Sequence, residues 1–297
     1  MAHADAHDHG RRAGARALSI ALALIVGFAV VEIVGGLVAG SLALLADAAH
    51  MVSDAGSLTL ALFAAWLAGR PATHARSFGW RRAEILAALV NGIVLVLLAG
   101  WIAWEAIGRL GDPPDVKGGW VLVVGAAGLV VNLLAARVLH RSGSASLNVR
   151  AALLHVLADL LSSAGVVLAG LLVLVAGWEL ADPVISLVIA LLVLLSAWGV
   201  LRDSVGILLE ATPRGVDADA VGRAMAAYPG VVEVHDLHIW TITSGFPSLS
   251  AHVTVDAGAD CHAIRHRLEV LLRDEFGLDH TTLQVEHAGG LVQLGRP

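Results

Sequence analysis

Cysteine is nearly absent from the sequence, since Cys261 is the only one among 297 residues. A single cysteine cannot form an intramolecular disulfide, and it argues against a metal cluster held by thiolates. Charged residues are also scarce, at 15%. The net charge is −6, and no basic segment is interleaved with aromatic side chains. These absences argue against nucleic acid as a partner.

Motifs of hydrolytic chemistry are missing as well. The sequence has no nucleophile elbow, no phosphate-binding loop and no zinc-protease helix motif. We therefore predict that the protein is not an enzyme.

Apolar residues, by contrast, make up 57% of the chain, and the mean hydropathy is +0.78. A helix needs about 20 apolar residues to cross a bilayer. Six stretches reach that length: 17–39, 43–69, 83–108, 119–140, 149–177 and 181–207. They predict a six-helix transmembrane domain over 17–208, embedded in a lipid bilayer. A polar tail with three histidines (1–16) precedes it, and a segment in which charged residues return (209–297) follows it.

Positive charge is concentrated in alternate loops. Because arginine and lysine accumulate in cytoplasmic loops, this distribution predicts that both termini are cytoplasmic. The arginines concerned are Arg11, Arg12, Arg16, Arg70, Arg76, Arg81, Arg82, Arg137, Arg141 and Arg150. The tail histidines could collect metal loosely, or the tail could simply be disordered.

Two pairs of ionisable residues lie inside apolar stretches: His50 with Asp54, and His155 with Asp159. Residues four apart lie on the same face of a helix, so each pair can present an imidazole and a carboxylate in one direction. Ionisable groups at bilayer depth are costly and usually mark an ion pathway. We predict that the four side chains bind one metal ion. Asp47 lies on the same face, and we expect its carboxylate to orient an imidazole rather than bind metal.

Glu32, in the first stretch, lies close to Gly35 and Gly36. Small residues let helices approach each other. We expect Glu32 to pair helices or border a water-filled cavity rather than to bind metal.

Two nitrogens and two carboxylate oxygens without sulfur suit Zn²⁺, with Co²⁺ or Cd²⁺ also possible. Two aspartates balance a dication, so the loaded site is formally neutral. Binding requires neutral imidazoles and ionised carboxylates, so protons and metal compete for the same atoms. Histidine titrates near 6.5 when unperturbed, which predicts exchange of divalent metal ions for protons.

Two alternatives remain open at this stage. A tetrahedral site with four protein ligands is typical of structural zinc, so the protein could be a membrane-embedded zinc sensor without flux. Transport is favoured instead because all four ligands are titratable, so protons can displace the metal. The main ion could also be Co²⁺, Cd²⁺ or Mn²⁺ rather than Zn²⁺.

Residues 217–227 and 260–275 are predicted to be helices, and 231–243, 248–256 and 281–287 are predicted to be strands. This order favours a small two-layer α+β domain. His235 and His238 face opposite sides of a regular strand, so they can join one site only if a bulge intervenes. His252 could face one of them across the hairpin, with Glu286 as the carboxylate. The alternative is a set of surface histidines that bind nothing.

Five segments together resemble the cation diffusion facilitator family in its zinc-transporting branch, and more closely the bacterial zinc, cobalt and cadmium exporters. They are LLADAAHMVSDAGSLTLAL (44–62), SFGWRRAEILAALVNG (77–92), PPDVKGG (113–119), NVRAALLHVLADLLSSAGVV (148–167) and EVHDLHIWTITSGFPSLSAHV (233–253).

The resemblance implies a homodimer that exchanges cytoplasmic Zn²⁺ for protons by alternating access. The transport site would consist of His50, Asp54, His155 and Asp159. The C-terminal domain would be ferredoxin-like, and its bound zinc would have a regulatory role. The short loop RSGSAS at 141–146 favours a bacterial plasma (inner) membrane over a eukaryotic compartment.

Overall fold

The computed structural model describes the backbone of residues 2–141 and 147–288, and the side chains of residues 19–141, 153 and 155–288. The N-terminal histidine side chains and most of the loop at 141–146, both of which carried predictions, lie outside these described residues.

Six helices in the described chain are long and apolar enough to cross a membrane. They are α1 (Ala2–Ala39), α2 (Leu42–Ala68), α3 (Ala83–Gly111), α4 (Gly118–Arg141), α5 (Leu147–Ala176) and α6 (Ala181–Leu208). Five of them begin and end within three residues of the predicted stretches. The exception is α1, which starts at Ala2, so the polar N-terminal segment is continuous with the first helix instead of forming a separate tail.

The chain divides into two compact units. The first comprises Met1–Leu60 and Val90–Gly199, and its core is built from apolar side chains of α1 to α6. Glycines allow the closest helix contacts there. A Cβ at Gly170 on α5 would come within 2.6 Å of the backbone nitrogen of Leu122 on α4, so α4 and α5 pack backbone to backbone.

The first turn of α2 is held by a residue from α6. The buried carboxylate of Asp182 accepts hydrogen bonds from the Ser41 hydroxyl and from the backbone N–H groups of Leu42 at 2.7 Å and Ala43 at 3.4 Å. Arg109 on α3 donates to the carbonyl of Gly40 at 2.9 Å. The N–H groups of a first helical turn have no partner within the helix. Asp182 therefore both caps α2 and fixes it against α6.

The second unit comprises Ala61–Leu89 and Val200–Pro297. It contains α7 (Ala218–Ala226), β1 (Val231–Thr243), β2 (Phe246–Val255), α8 (Cys261–Phe276) and β3 (His280–His287). The sheet order is β1-β2-β3, with β1 antiparallel and β3 parallel to β2. Both helices pack on one face of the sheet. This is the predicted small α+β domain at the C-terminus of a membrane domain.

Within this second unit, the segment before α3 contacts the hairpin between β1 and β2. The Thr243 hydroxyl donates to the carbonyl oxygen of Arg81 and to the Glu84 carboxylate, each at 3.1 Å. The guanidinium of Arg81 lies 4.6 Å from the centre of the Phe246 ring. The hairpin is thus attached to the start of the third membrane helix.

Candidate metal site

The four predicted ligands come together between α2 and α5. The two helices run in opposite directions, so the histidine of one lies level with the aspartate of the other. His155 Nε2 is 3.0 Å from Asp54 Oδ2, and His50 Nε2 is 3.8 Å from Asp159 Oδ1. Along each helix, His50 Nε2 is 3.6 Å from Asp54 Oδ2, and His155 Nε2 is 3.9 Å from Asp159 Oδ2. Each imidazole therefore lies beside both carboxylates.

These spacings match a small tetrahedral ion. Zinc binds nitrogen and oxygen at about 2.0–2.2 Å, so neighbouring ligand atoms of a tetrahedron lie about 3.3–3.6 Å apart. The four distances range from 3.0 to 3.9 Å. Ligand atoms of His50, Asp54 and Asp159 all lie within 4.8 Å of one another. This group does not include His155, so three of the four side chains are close enough to share one ion, and His155 must move inwards to complete a tetrahedral shell.

Burial at the site is graded. The Asp159 side chain is only 3% exposed, whereas that of His155 is 46% exposed. Oδ1 of Asp159 is buried and accepts no hydrogen bond from the described residues, and Oδ2 of Asp54 is buried beside Nε2 of His155. Buried carboxylate oxygens without donors are costly unless a cation compensates them. The arrangement is therefore suited to bind a cation that enters from the side of His155.

Asp47 has partners other than the expected imidazole. The hydroxyls of Ser162 and Ser163 on α5 donate to Asp47 Oδ1 at 2.6 Å and to Asp47 Oδ2 at 3.2 Å. Among the described residues, the buried Nδ1 of His50 has no hydrogen-bond partner. Asp47 thus connects α2 to α5 beside the metal ligands, and in this structure it orients no imidazole.

Asp182 was not identified from the sequence as a residue that supports the site, although its hydrogen bonds fix the helix that carries His50 and Asp54. An acid in the first turn of a helix usually stabilises its own helix. The only available signal was its position at the start of an otherwise apolar stretch.

In the C-terminal domain, a bulge in β1 brings two histidines to the same face. His235 pairs with His252, whereas His238 pairs with Ser250. The pairing therefore advances by three residues on β1 but by only two on β2. The extra residue is accommodated at Asp236, whose φ of 53° is in the left-handed region. Directly paired residues share a face, as do residues two apart on one strand. His235, His238 and His252 therefore all lie on the face opposite the helices.

The carboxylate expected to join these histidines lies on the same face. Glu286 pairs with Thr254, two residues from His252 on β2. The rings of His235 and His252 are 5.3 Å apart. In the described part of the chain, however, the one group of three or more potential ligands whose atoms lie within 4.8 Å of one another is His50, Asp54 and Asp159, in the membrane domain. The histidines and Glu286 share a surface without converging on one point.

Two family models match the chain. The model of the cation efflux transmembrane domain matches residues 18–209, and that of the cation efflux protein cytoplasmic domain matches residues 213–288. The cadmium, cobalt and zinc/H(+)-K(+) antiporter of Bacillus subtilis (strain 168) is 42% identical over 285 residues, which are 94% of this chain and 91% of that protein.

The zinc transporter ZitB of Escherichia coli (strain K12) is 42% identical over 292 residues, covering 97% of this chain and 93% of that protein. The metal-bound C-terminal domain of the CzcD transporter from Cuprividus metallidurans is 40% identical. That solved structure matches with a TM-score of 0.23, over 24% of this chain and 99% of its own.

Proposed function

Because the chain belongs to the cation efflux family of multi-pass membrane transporters, we propose that it exports Zn²⁺ from the cytoplasm in exchange for protons. The observation that carries this proposal is the meeting of His50, Asp54, His155 and Asp159 between α2 and α5. The ion would be the cargo of this site, exposed alternately to the two sides of the membrane.

The donor set supports Zn²⁺ as the main cargo. Two imidazoles and two carboxylates suit a borderline dication, whereas Ca²⁺ and Mg²⁺ prefer six or more oxygens. Co²⁺ and Cd²⁺ are second candidates, favoured by the name of the Bacillus subtilis relative. Cysteine ligands, which would favour softer ions, are absent from the described site.

Proton exchange follows from the same four side chains. Each histidine must lose a proton, and each aspartate must be ionised, before metal can bind. Arginine-rich loops place both termini on the cytoplasmic side in this proposal, which makes the C-terminal domain cytoplasmic. The membrane would be the bacterial plasma membrane, and the protein would act as a homodimer that assembles through its C-terminal domain.

Zinc affinity of the purified protein is expected to decrease as the pH falls from 7.5 to 5.5. Zinc binds only neutral imidazoles and ionised carboxylates, so protons compete more strongly as the pH falls, and the affinity should decrease by roughly 10-fold or more. Isothermal titration in two buffers of different ionisation heat measures both the affinity and the number of protons released. A pH-independent affinity without proton release would contradict the proposed exchange and favour a static zinc site.

We further propose that the exposed face of the C-terminal sheet binds regulatory zinc between the two protomers, using His235, His238, His252 and Glu286. One protomer presents these side chains on one surface without a converged site. A second copy could supply the missing ligands. Zinc bound there would stabilise the dimer form that binds it better.

Replacement of Glu286 by alanine is therefore expected to reduce zinc flux only partly, because the transport ligands remain intact. Zinc-dependent dimerisation, measured by analytical ultracentrifugation in detergent, should weaken in the same variant. A matched control is Glu275→Ala, which changes a glutamate on α8 in the same domain. Complete loss of flux in a well-folded Glu286→Ala protein would contradict a regulatory role.

A further inference from the structure

A second buried group of polar side chains lies in the same unit as the metal site but includes none of its four ligands. We call it the inner polar group. It consists of Glu32 on α1, Asp47 on α2, Asn132 on α4, and Ser162 and Ser163 on α5. All five are buried. Four membrane helices thus contribute polar atoms to one interior region beside the site.

Asp47 is well supplied with donors. Each of its two oxygens accepts a hydrogen bond from a serine hydroxyl, that of Ser162 at 2.6 Å and that of Ser163 at 3.2 Å. The Asn132 amide in turn donates to the Ser163 oxygen at 3.1 Å. Asp47 therefore accepts from two branches: Ser162 donates to it directly, and Asn132 donates to Ser163, which donates to Asp47.

Glu32 has no such support. Its side chain is 0% exposed, and no N–H or hydroxyl of the described residues donates to either of its oxygens. The carboxyl of Asp47, which is itself 1% exposed, interacts with that of Glu32. Two carboxyl groups can form a hydrogen bond only if one of them carries a proton, and two adjacent buried anions repel each other strongly. The pair therefore requires a cation.

The space around Glu32 favours the smallest cation. A Cβ at Gly128 on α4 would come within 2.9 Å of Glu32 Oε1 and 2.8 Å of the Phe28 ring. On the side of α4, this oxygen therefore lies against helix backbone at Gly128, with the Phe28 ring next to the same glycine. Hard metal ions require several oxygen ligands, whereas a proton requires only the two carboxyl groups.

We propose that Glu32 and Asp47 share a proton that is exchanged during the transport cycle, which makes the pair a proton-binding site separate from the metal ligands. This inference rests on the proposed zinc–proton exchange. When zinc binds, the carboxyl O–H bond of the pair breaks, the proton passes to the cytoplasmic solution, and both carboxylates remain as anions near the dication. After zinc leaves, a proton from the external solution forms the O–H bond again.

Zinc binding and proton binding are coupled because the carboxyl pair and the metal site share α2 and α5. Asp47 precedes His50 by three residues on α2, and Ser162 follows Asp159 by three residues on α5, so the pair and the metal site lie about one helical turn apart on both helices. The titratable groups near Glu32 are Asp47 from α2 and Asp159 from α5. On α4, the neighbours Gly128 and Asn132 do not titrate. Zinc and the proton are both positive, so each lowers the affinity for the other, and this effect is reciprocal.

The test is to count the protons exchanged per zinc ion by the full-length protein in proteoliposomes, for the wild type and for Glu32→Gln. Glutamine keeps the size of the side chain but cannot release a proton. We expect one proton fewer per zinc ion in the variant. Because glutamine mimics the protonated glutamate, the zinc affinity should also be lower at neutral pH and should depend less on pH. Glu105→Gln is the matched control, because Glu105 is a membrane-helix glutamate paired with Arg109 at 3.0 Å. It should exchange as many protons as the wild type.

An unchanged proton count in Glu32→Gln would overturn this inference and leave the antiport intact. A wild type that exchanges no protons would overturn the proposed antiport itself, and this inference with it. A count that depends on K⁺ or Na⁺ in the buffer would show that the pair binds an alkali ion and would overturn the assignment of a proton.

A second measurement needs no variant and therefore does not depend on the folding of Glu32→Gln. Infrared difference spectra of wild-type protein with isotope-labelled glutamate should show a protonated glutamate carboxyl band that disappears on addition of zinc. The label distinguishes glutamate from the aspartate ligands. Absence of this band would contradict the inference regardless of flux.

Discussion

Replacement of Asp159 by alanine is expected to reduce zinc flux by more than about 100-fold. Asp159 is the most deeply buried of the four ligands, and its Oδ1 lies 3.8 Å from His50 Nε2. Loss of a residue that merely supports a ligand costs about 10–100-fold in metal affinity, so loss of a ligand should cost more. The variant also leaves a dication with one carboxylate fewer, which makes the loaded site positively charged inside the membrane.

Uptake of zinc into proteoliposomes measures this effect, and a zinc titration in detergent distinguishes weak binding from slow transport. Asp203→Ala is a suitable control, because Asp203 also lies on a membrane helix but is exposed and paired with Arg214. Flux of Asp159→Ala near the wild-type rate would exclude the site between α2 and α5 as the transport site.

The second large effect is expected at Asp182. Its replacement by alanine removes the acceptor for the Ser41 hydroxyl and for the N–H groups of Leu42 and Ala43, all of which are buried. Loss of a helix cap costs about 1 kcal/mol, and each buried group without a partner adds about 1–3 kcal/mol. We expect the free energy of unfolding to fall by about 4 kcal/mol or more, together with loss of flux.

Thermal unfolding in detergent should show this as a midpoint lowered by roughly 6 °C or more. Asp182→Asn should lie between the wild type and Asp182→Ala, since an amide oxygen can still accept from one or two of the donors. Asp203→Ala again serves as the control, because an exposed ion pair contributes about 1 kcal/mol or less. An unchanged midpoint for Asp182→Ala would mean that α2 is held by other contacts.

Much of the architecture can be predicted from the sequence, because each membrane helix must consist of about 20 apolar residues in a row. The ends of α3 and α6 follow from where charged or turn residues interrupt such a run. The meeting of His50 and Asp54 with His155 and Asp159 is predictable for a related reason. Four-residue spacing fixes a common helix face, and buried charge of this kind needs a cation.

Other features depend on contacts between elements that the sequence does not encode in a simple pattern. The serine partners of Asp47 depend on how far α5 is shifted along α2. The cap of α2 by Asp182 joins residues about 140 positions apart in the chain. Neither contact leaves a periodic pattern in the sequence. For Asp47, the only pattern available was its three-residue spacing from His50, which predicted an imidazole as its partner.

The histidines of β1 illustrate the limit set by backbone irregularity. Regular alternation places His235 and His238 on opposite faces. A single left-handed residue, Asp236, reverses this result. Aspartate tolerates this conformation better than most residues do, but nothing in the sequence requires the bulge at that position. The requirement for a bulge could be predicted, whereas its presence could not.

The measurement that tests the central proposal most directly is zinc flux into proteoliposomes across an imposed pH gradient, with internal zinc and internal pH recorded together. We predict zinc movement against proton movement, accelerated by the gradient, abolished by Asp159→Ala and only weakened by Glu286→Ala. Tight zinc binding by well-folded wild-type protein without any flux, under either direction of the gradient, would contradict the account and indicate a membrane-embedded zinc sensor.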